Sequence, residues 1–152
     1  VETCPAAGAK GEEAIMPSID ADDVVTHSFD WGVIKWLVSP DQNPGAKLTF
    51  GEVVLLPGQG HVRHNHPLSE EILYVLSGVG EQMVDDQPPF VVRPGDTIYI
   101  PTAIFHSTVN KGWEPLRLLA LYNPAGAERA LLDLPDYRAT PAGKVLALKR
   151  GE

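Results

Sequence analysis

Apolar and polar residues alternate along this chain in short runs, and turn-forming residues cut the runs apart. A period of two over four to eight residues marks a half-buried strand. Runs of this kind fall at roughly 23–29, 32–38, 47–56, 61–66, 70–77, 79–85, 90–92, 97–100, 105–110 and 115–122. Between them lie Pro40 to Gly45, Pro57-Gly58, Ser77-Gly78, Asp85 to Pro89, Pro94-Gly95 and Lys111-Gly112. Proline presets φ and glycine accepts φ > 0, so each of these segments favours a turn. Many short strands at such spacing predict an all-β sandwich or barrel.

The two ends read differently. Residues 1–17 are small, charged and broken by proline and glycine, with no period, and are expected to form a flexible arm. The β domain is then expected over 18–124, followed by an extension over 125–152. Within that extension Ala125 to Leu132 suits one or two helical turns, and the remaining proline-broken coil is expected to pack on the β domain or a partner.

One stretch carries chemistry. Between Gly58 and Gly78, His64 and His66 stand two apart on an expected strand, so both imidazoles point to one face. Pro67 ends that strand, and a turn can return the next one, beginning near Glu70 or Glu71, alongside it. Glu71 shares a face with Leu73 and Val75, and Glu70 with Ile72, Tyr74 and Leu76. Both faces are apolar, so the pattern does not choose between the two carboxylates. A second block, Pro94 to Asn110, adds His106 after a turn, a β-branched run from Thr97 to Ile100 and the breaker Pro101.

These blocks resemble the two motifs of the cupin family. The first, G(X)5HXH(X)4E(X)6G, is matched by Gly58, His64, His66, Glu71 and Gly78, and the second, G(X)5PXG(X)2H(X)3N, by Gly95, Pro101, His106 and Asn110. Ala103 stands where the second motif has glycine, which puts pressure on the turn at 102–103 because alanine resists φ > 0. The resemblance implies a jelly-roll β-barrel that binds one divalent transition metal per chain through His64, His66, Glu71 and His106. It also selects Glu71 over Glu70 and leaves Glu70 as a solvated or salt-bridged group. It does not select a reaction, since cupins include dioxygenases, isomerases, lyases, decarboxylases and non-enzymatic binding proteins.

Three imidazoles and a carboxylate suit Fe, Mn, Ni, Co or Zn, and on an octahedral ion they leave two positions free. A chelating substrate fits there, or one oxygen donor together with O2. The expected function is therefore that of a metal-dependent enzyme on a small oxygen-rich organic molecule. A dioxygenase and an isomerase or lyase on a sugar- or keto-acid-like substrate both remain open, and a non-enzymatic small-molecule-binding cupin is the alternative. Arg117, Tyr99 and Glu81 are the candidate catalytic residues, with Arg117 able to face lumen or solvent; Tyr122, Phe105 and Gln82 are further candidates for the pocket. His61 lies out of phase with His64 and His66 and is expected at the surface or an interface. His27 alternates with Val25 and Phe29, which suits a core or dimer contact, and Asn110 suits a turn-holding role.

Composition narrows the partners. The chain of 152 residues, 43% hydrophobic and 21% charged, suits a single domain with its own core. A net charge of −8 offers no basic stripe for nucleic acid or an anionic membrane. No apolar run reaches the ~20 residues of a membrane helix. The lone Cys4 cannot close an intramolecular disulfide, and a reducing, cytoplasmic location is expected. The chain starts at Val1 without methionine, which leaves room for a removed leader. Sheet edges that need covering, together with the apolar strands at 23–38, predict a homodimer.

Overall fold

The structure is a computed structural model and describes residues 18–146; the expected arm at 1–17, with Cys4, lies outside the described residues. Eleven strands run through the described part in the order β1 (Thr26–Phe29), β2 (Gly32–Val38), β3 (Thr49–Leu55), β4 (Gly60–His64), β5 (Glu70–Ser77), β6 (Gly80–Val84), β7 (Phe90–Val92), β8 (Thr97–Ile100), β9 (His106–Asn110), β10 (Leu116–Asn123) and β11 (Arg138–Thr140). All pairings are antiparallel. One sheet has the order β11-β1-β2-β3-β10-β5-β8, and the second has β4-β9-β6-β7. This two-sheet jelly roll is the all-β fold that the alternating pattern predicts.

Each strand of the larger sheet buries alternate residues, as a sheet with one face on a core requires. Ile34 and Trp36 of β2, Val53 and Leu55 of β3, Leu73 and Val75 of β5, and Leu116, Leu118 and Ala120 of β10 form the inner layer. The smaller sheet answers with polar inner groups, His106, Thr108 and Asn110 of β9 and Gln82 of β6. An apolar layer facing a polar one leaves room for a site between them. Gly78 makes the β5–β6 turn possible: its φ is +88°, and a Cβ there would lie 2.8 Å from the Pro115 carbonyl oxygen.

The tail contributes more than coil. Residues Ala127–Asp133 form a short 3-10 helix that puts Leu131 into the core. β11 then pairs with β1, His27 opposite Ala139, and Arg138 reaches Asp30 at 2.8 Å. Three residues between proline-broken segments carry no readable period, and their pairing is set by a strand far away in sequence. The β1 edge is thereby covered by the chain itself. The strands at 23–38, expected to cover a partner, lie inside their own sheet.

Candidate metal centre

Four groups converge at one end of the space between the sheets. His64 closes β4 and stands opposite His106, the first residue of β9. His66 follows the end of β4, and Glu71, on β5, lies opposite Tyr122 of β10 and Ile100 of β8. One ligand atom from each of His64, His66, Glu71 and His106 lies within 4.8 Å of the others. Both histidine motif partners and the carboxylate are therefore brought together as possible ligands. Glu71 is 4% exposed, whereas Glu70 points outward and accepts hydrogen bonds from the Tyr99 hydroxyl and the Asn123 amide.

The main chain sets the tautomers. The Nδ1 atoms of His64 and His106 lie 2.8 and 3.0 Å from the carbonyl oxygens of Val62 and Ile104. A carbonyl only accepts, so each Nδ1 carries the proton and each Nε2 presents a lone pair. Glu71 Oε2 sits 2.8 Å from His106 Nε2 and 3.3 Å from His66 Nε2. With the His106 proton on Nδ1, no hydrogen lies between that nitrogen and the carboxylate. Accordingly His106 Nε2, His66 Nε2 and Glu71 Oε2 are buried polar atoms with no hydrogen-bond partner. Such orphaned acceptors are costly unless a cation satisfies them. A second shell of carbonyls holding imidazole Nδ1–H is also what metal-ligating histidines use. The residues present thus fit a transition-metal ion.

The electrostatics agree. Burial pushes the Glu71 carboxyl up, but contact with His106 and His66 outweighs it and brings the group down to about 2. Burial lowers His106, and the Glu71 carboxylate more than reverses this, so His106 is raised. The pair asks for positive charge beside Glu71. Burial lowers His64 to about 3, helped by the charges of His61 and His106. A proton on that imidazole is disfavoured, which leaves its lone pair free at neutral pH.

His61 departs from its expected surface position. β4 pairs with β9 through His61 opposite Thr108 and His64 opposite His106, so three steps on one strand match two on the other. The extra residue is a bulge, and it turns His61 to the same side as His64. Their ring centroids are 4.0 Å apart, and Trp31 lies 5.1 Å beyond His61. Burial lowers His61 to about 4. Period-two counting cannot anticipate a bulge.

Beside the four groups lies a cavity of about 50 Å³, lined by His61, Trp31 and Tyr122 and by an apolar wall that includes Ile34, Leu55 and Leu118. Tyr122 is buried among these, and burial together with Glu71 and Glu128 raises its hydroxyl well above the ordinary range. The other candidates lie elsewhere. Arg117 is exposed and pairs with Glu52 at 2.6 Å on the outer face of the larger sheet. Tyr99 is 57% exposed on that same face, and Glu81 turns toward Lys111 at 3.5 Å. Phe105 lies outside, under the Arg63 guanidinium. Gln82 points inward and accepts from Thr108 at 2.6 Å. Asn110 donates to the carbonyls of Leu55 and Glu114 and accepts from Gly112 N, so it holds the turn. His27 meets the Tyr137 hydroxyl at 3.1 Å and is not among the four grouped residues.

Known proteins share this fold. The family model described as Cupin domain matches residues 51–122. Protein SchB of Streptomyces halstedii is 33% identical over 128 residues, which span 82% of this chain and 91% of that one. An uncharacterised protein of Methanocaldococcus jannaschii is 37% identical over 95 residues, 62% of this chain and 75% of its own length. Among solved structures, the oxalate decarboxylase of Lactobacillus farciminis, in a formate complex, gives a TM-score of 0.64 at 27% identity, covering 73% of this chain and 35% of that one. With relatives at these identities matched over most of their own length, and every ligand position of both motifs intact, the chain belongs to the cupin family.

Proposed function

We propose that this cupin is a metal-dependent enzyme acting on a small oxygen-donor organic molecule, with His64, His66, Glu71 and His106 holding one divalent ion of the Fe, Mn, Ni, Co or Zn group. The observation that carries the reading is the set of buried, partnerless polar atoms on His66, His106 and Glu71, close to one another with the His106 proton held elsewhere by a carbonyl. An ion held there by His64, His66, Glu71 and His106 would supply Lewis acidity toward a chelating substrate. The chain's own residues do the rest. Val62 and Ile104 carbonyls fix the ring orientations of His64 and His106. The apolar wall excludes water and strengthens every polar interaction beside it. His61 and Tyr122 offer polar atoms to a substrate beside the ligands.

A second reading, a non-enzymatic binding cupin, is favoured by one observation: Arg117, Tyr99 and Glu81 all point away from the cavity. Turnover separates the two. Forms loaded with Fe, Mn, Ni or Zn are incubated with hydroxy-acids, keto-acids, diketones and sugar acids, while oxygen uptake and products are followed by electrode and NMR. Oxygen uptake confined to the iron form selects a dioxygenase, and products without O2 on several metals select an isomerase or lyase. Ligands that bind tightly and return unchanged on every metal select the binding cupin.

A homodimer accompanies this reading. Ile72 and Tyr99 face each other across β5 and β8, and with Tyr74 they leave exposed apolar area on the outer sheet face. Light scattering should give about twice 16.5 kDa; a monomer at micromolar concentration contradicts it.

A further inference from the structure

The cavity beside the four grouped side chains is too small for the organic substrate proposed above, a size argument that rests on the metal reading. At about 50 Å³ it takes a few water molecules, whereas pockets for organic ligands run to roughly 300 Å³ and beyond. Its lining includes Glu71 and His106, and on another side Leu131, which the short 3-10 helix Ala127–Asp133 contributes. The site therefore has to be enlarged before it can be filled, and that helix is the wall with the weakest attachment.

The segment carrying Leu131 is pinned at its two ends and held loosely between them. Upstream, Ala125 N donates to the Lys47 carbonyl at 3.0 Å and Ser69 Oγ to the Pro124 carbonyl at 2.7 Å. Downstream, Asp30 N donates to Asp136 Oδ2 at 2.9 Å, and Arg138 begins β11. Among the described residues, the main-chain bonds between these pins stay inside the segment, Arg129 N to the Gly126 carbonyl and Leu134 N to the Leu131 carbonyl. The Arg129–Asp41 ion pair ties the helix to the sheet side, but both partners are exposed, and such pairs hold weakly. Clefts of about 280 and 210 Å³ flank the helix, one against His66, Pro67 and Leu68 and the other against Trp36 and Ser39. Within the helix Glu128 is 6% exposed and its Oε1 has no hydrogen-bond partner, a cost that contact with water would remove. Gly126, at φ +124° with open space where a Cβ would stand, can absorb a change of direction at the upstream end.

We propose that residues 126–135 form the lid of the metal cavity, with Leu131 as its plug. Closed, Leu131 fills the space next to Glu71 and His106 and keeps it at the size of a few waters. Open, that space joins the cleft on the His66 side and reaches the size of an organic ligand, while Glu128 gains solvent for its unpartnered oxygen.

The test has two arms, both on the full chain. Native-state hydrogen exchange reads the opening without metal: the amides of Arg129 and Leu134 should exchange through a local opening at urea concentrations far below the midpoint, and those of β5 and β10 only through global unfolding. Zinc extraction by the coloured chelator pyridylazoresorcinol reads access to the site. With zinc content measured first, Leu131→Ala should be stripped about tenfold faster than wild type. Val75→Ala truncates a core side chain outside the cavity lining and should change the rate by less than about twofold. Arg129 and Leu134 amides that exchange only with global unfolding overturn the lid. So does extraction at one rate in wild type and Leu131→Ala, or equal acceleration in both variants, which would trace it to lost stability. A chain that holds no zinc overturns the metal reading, and the exchange arm alone then decides the lid.

Discussion

The main-chain N–H of Ala103 donates to the carbonyl of His66 at 2.9 Å, so the turn that leads into His106 is pinned to the segment that carries His64 and His66. Ala103 adopts φ +66° to do this, in the left-handed region where the family motif has glycine. The asparagine side chain at 65 also donates to the Ala103 carbonyl. The turn is kept, and the alanine bears a conformational cost.

Ala103→Gly should therefore stabilise the protein by on the order of 0.5–1 kcal/mol, the relief of left-handed alanine less the extra freedom of glycine in the unfolded chain. Ala103→Val should destabilise it by a similar or larger amount. Urea midpoints at constant slope measure both; a loss of stability in the glycine variant would mean that the turn is not strained.

Metal-free protein should lose stability as pH falls below neutrality. His61 and His64 titrate at about 4 and about 3 in the fold, against 6.5 in an unfolded chain. Between those values the unfolded state binds more protons, so their contribution is complete above 6.5 and fades as pH drops. Glu71 acts with the same sign below 4.5, while the raised His106 acts oppositely and loses its contribution above its folded value. After chelator treatment, unfolding free energy should fall between about pH 7.5 and about pH 5, by up to ~2 kcal/mol for each of the two imidazoles before the opposing gain at His106 is set against it. A flat or rising profile would show that His61 and His64 are not held neutral.

Arg117→Ala, Tyr99→Phe and Glu81→Gln should each leave metal content and turnover close to wild type. All three side chains lie on outward faces, paired with Glu52, Glu70 and Lys111. Exposed pairs of this kind are worth ~1 kcal/mol or less. A tenfold loss of turnover in any one of them, with metal retained, would place that residue in the reaction.

The residues that were legible in the sequence are those whose roles depend on spacing. Alternation located ten of the eleven strands, and the paired motifs picked out His64, His66, Glu71 and His106 as a group and separated Glu71 from Glu70. What the sequence did not disclose depends on events that break the period or join distant segments. The bulge in β4 turned His61 inward against its count. β11 is three residues long and exists because β1 offers it an edge. Arg117 is one polar residue in an apolar strand, and its direction is set by Glu52 on the neighbouring β3.

Elemental analysis of the purified chain tests the central claim most directly. One transition-metal ion per chain is expected in the wild type, with His66→Ala, His106→Ala and Glu71→Gln each losing most of it and His27→Ala keeping it, since His27 contacts Tyr137 and is not one of the four grouped residues. A wild-type chain that stays metal-free after reconstitution with iron, manganese, nickel and zinc, or equal losses in all four variants, would contradict the account.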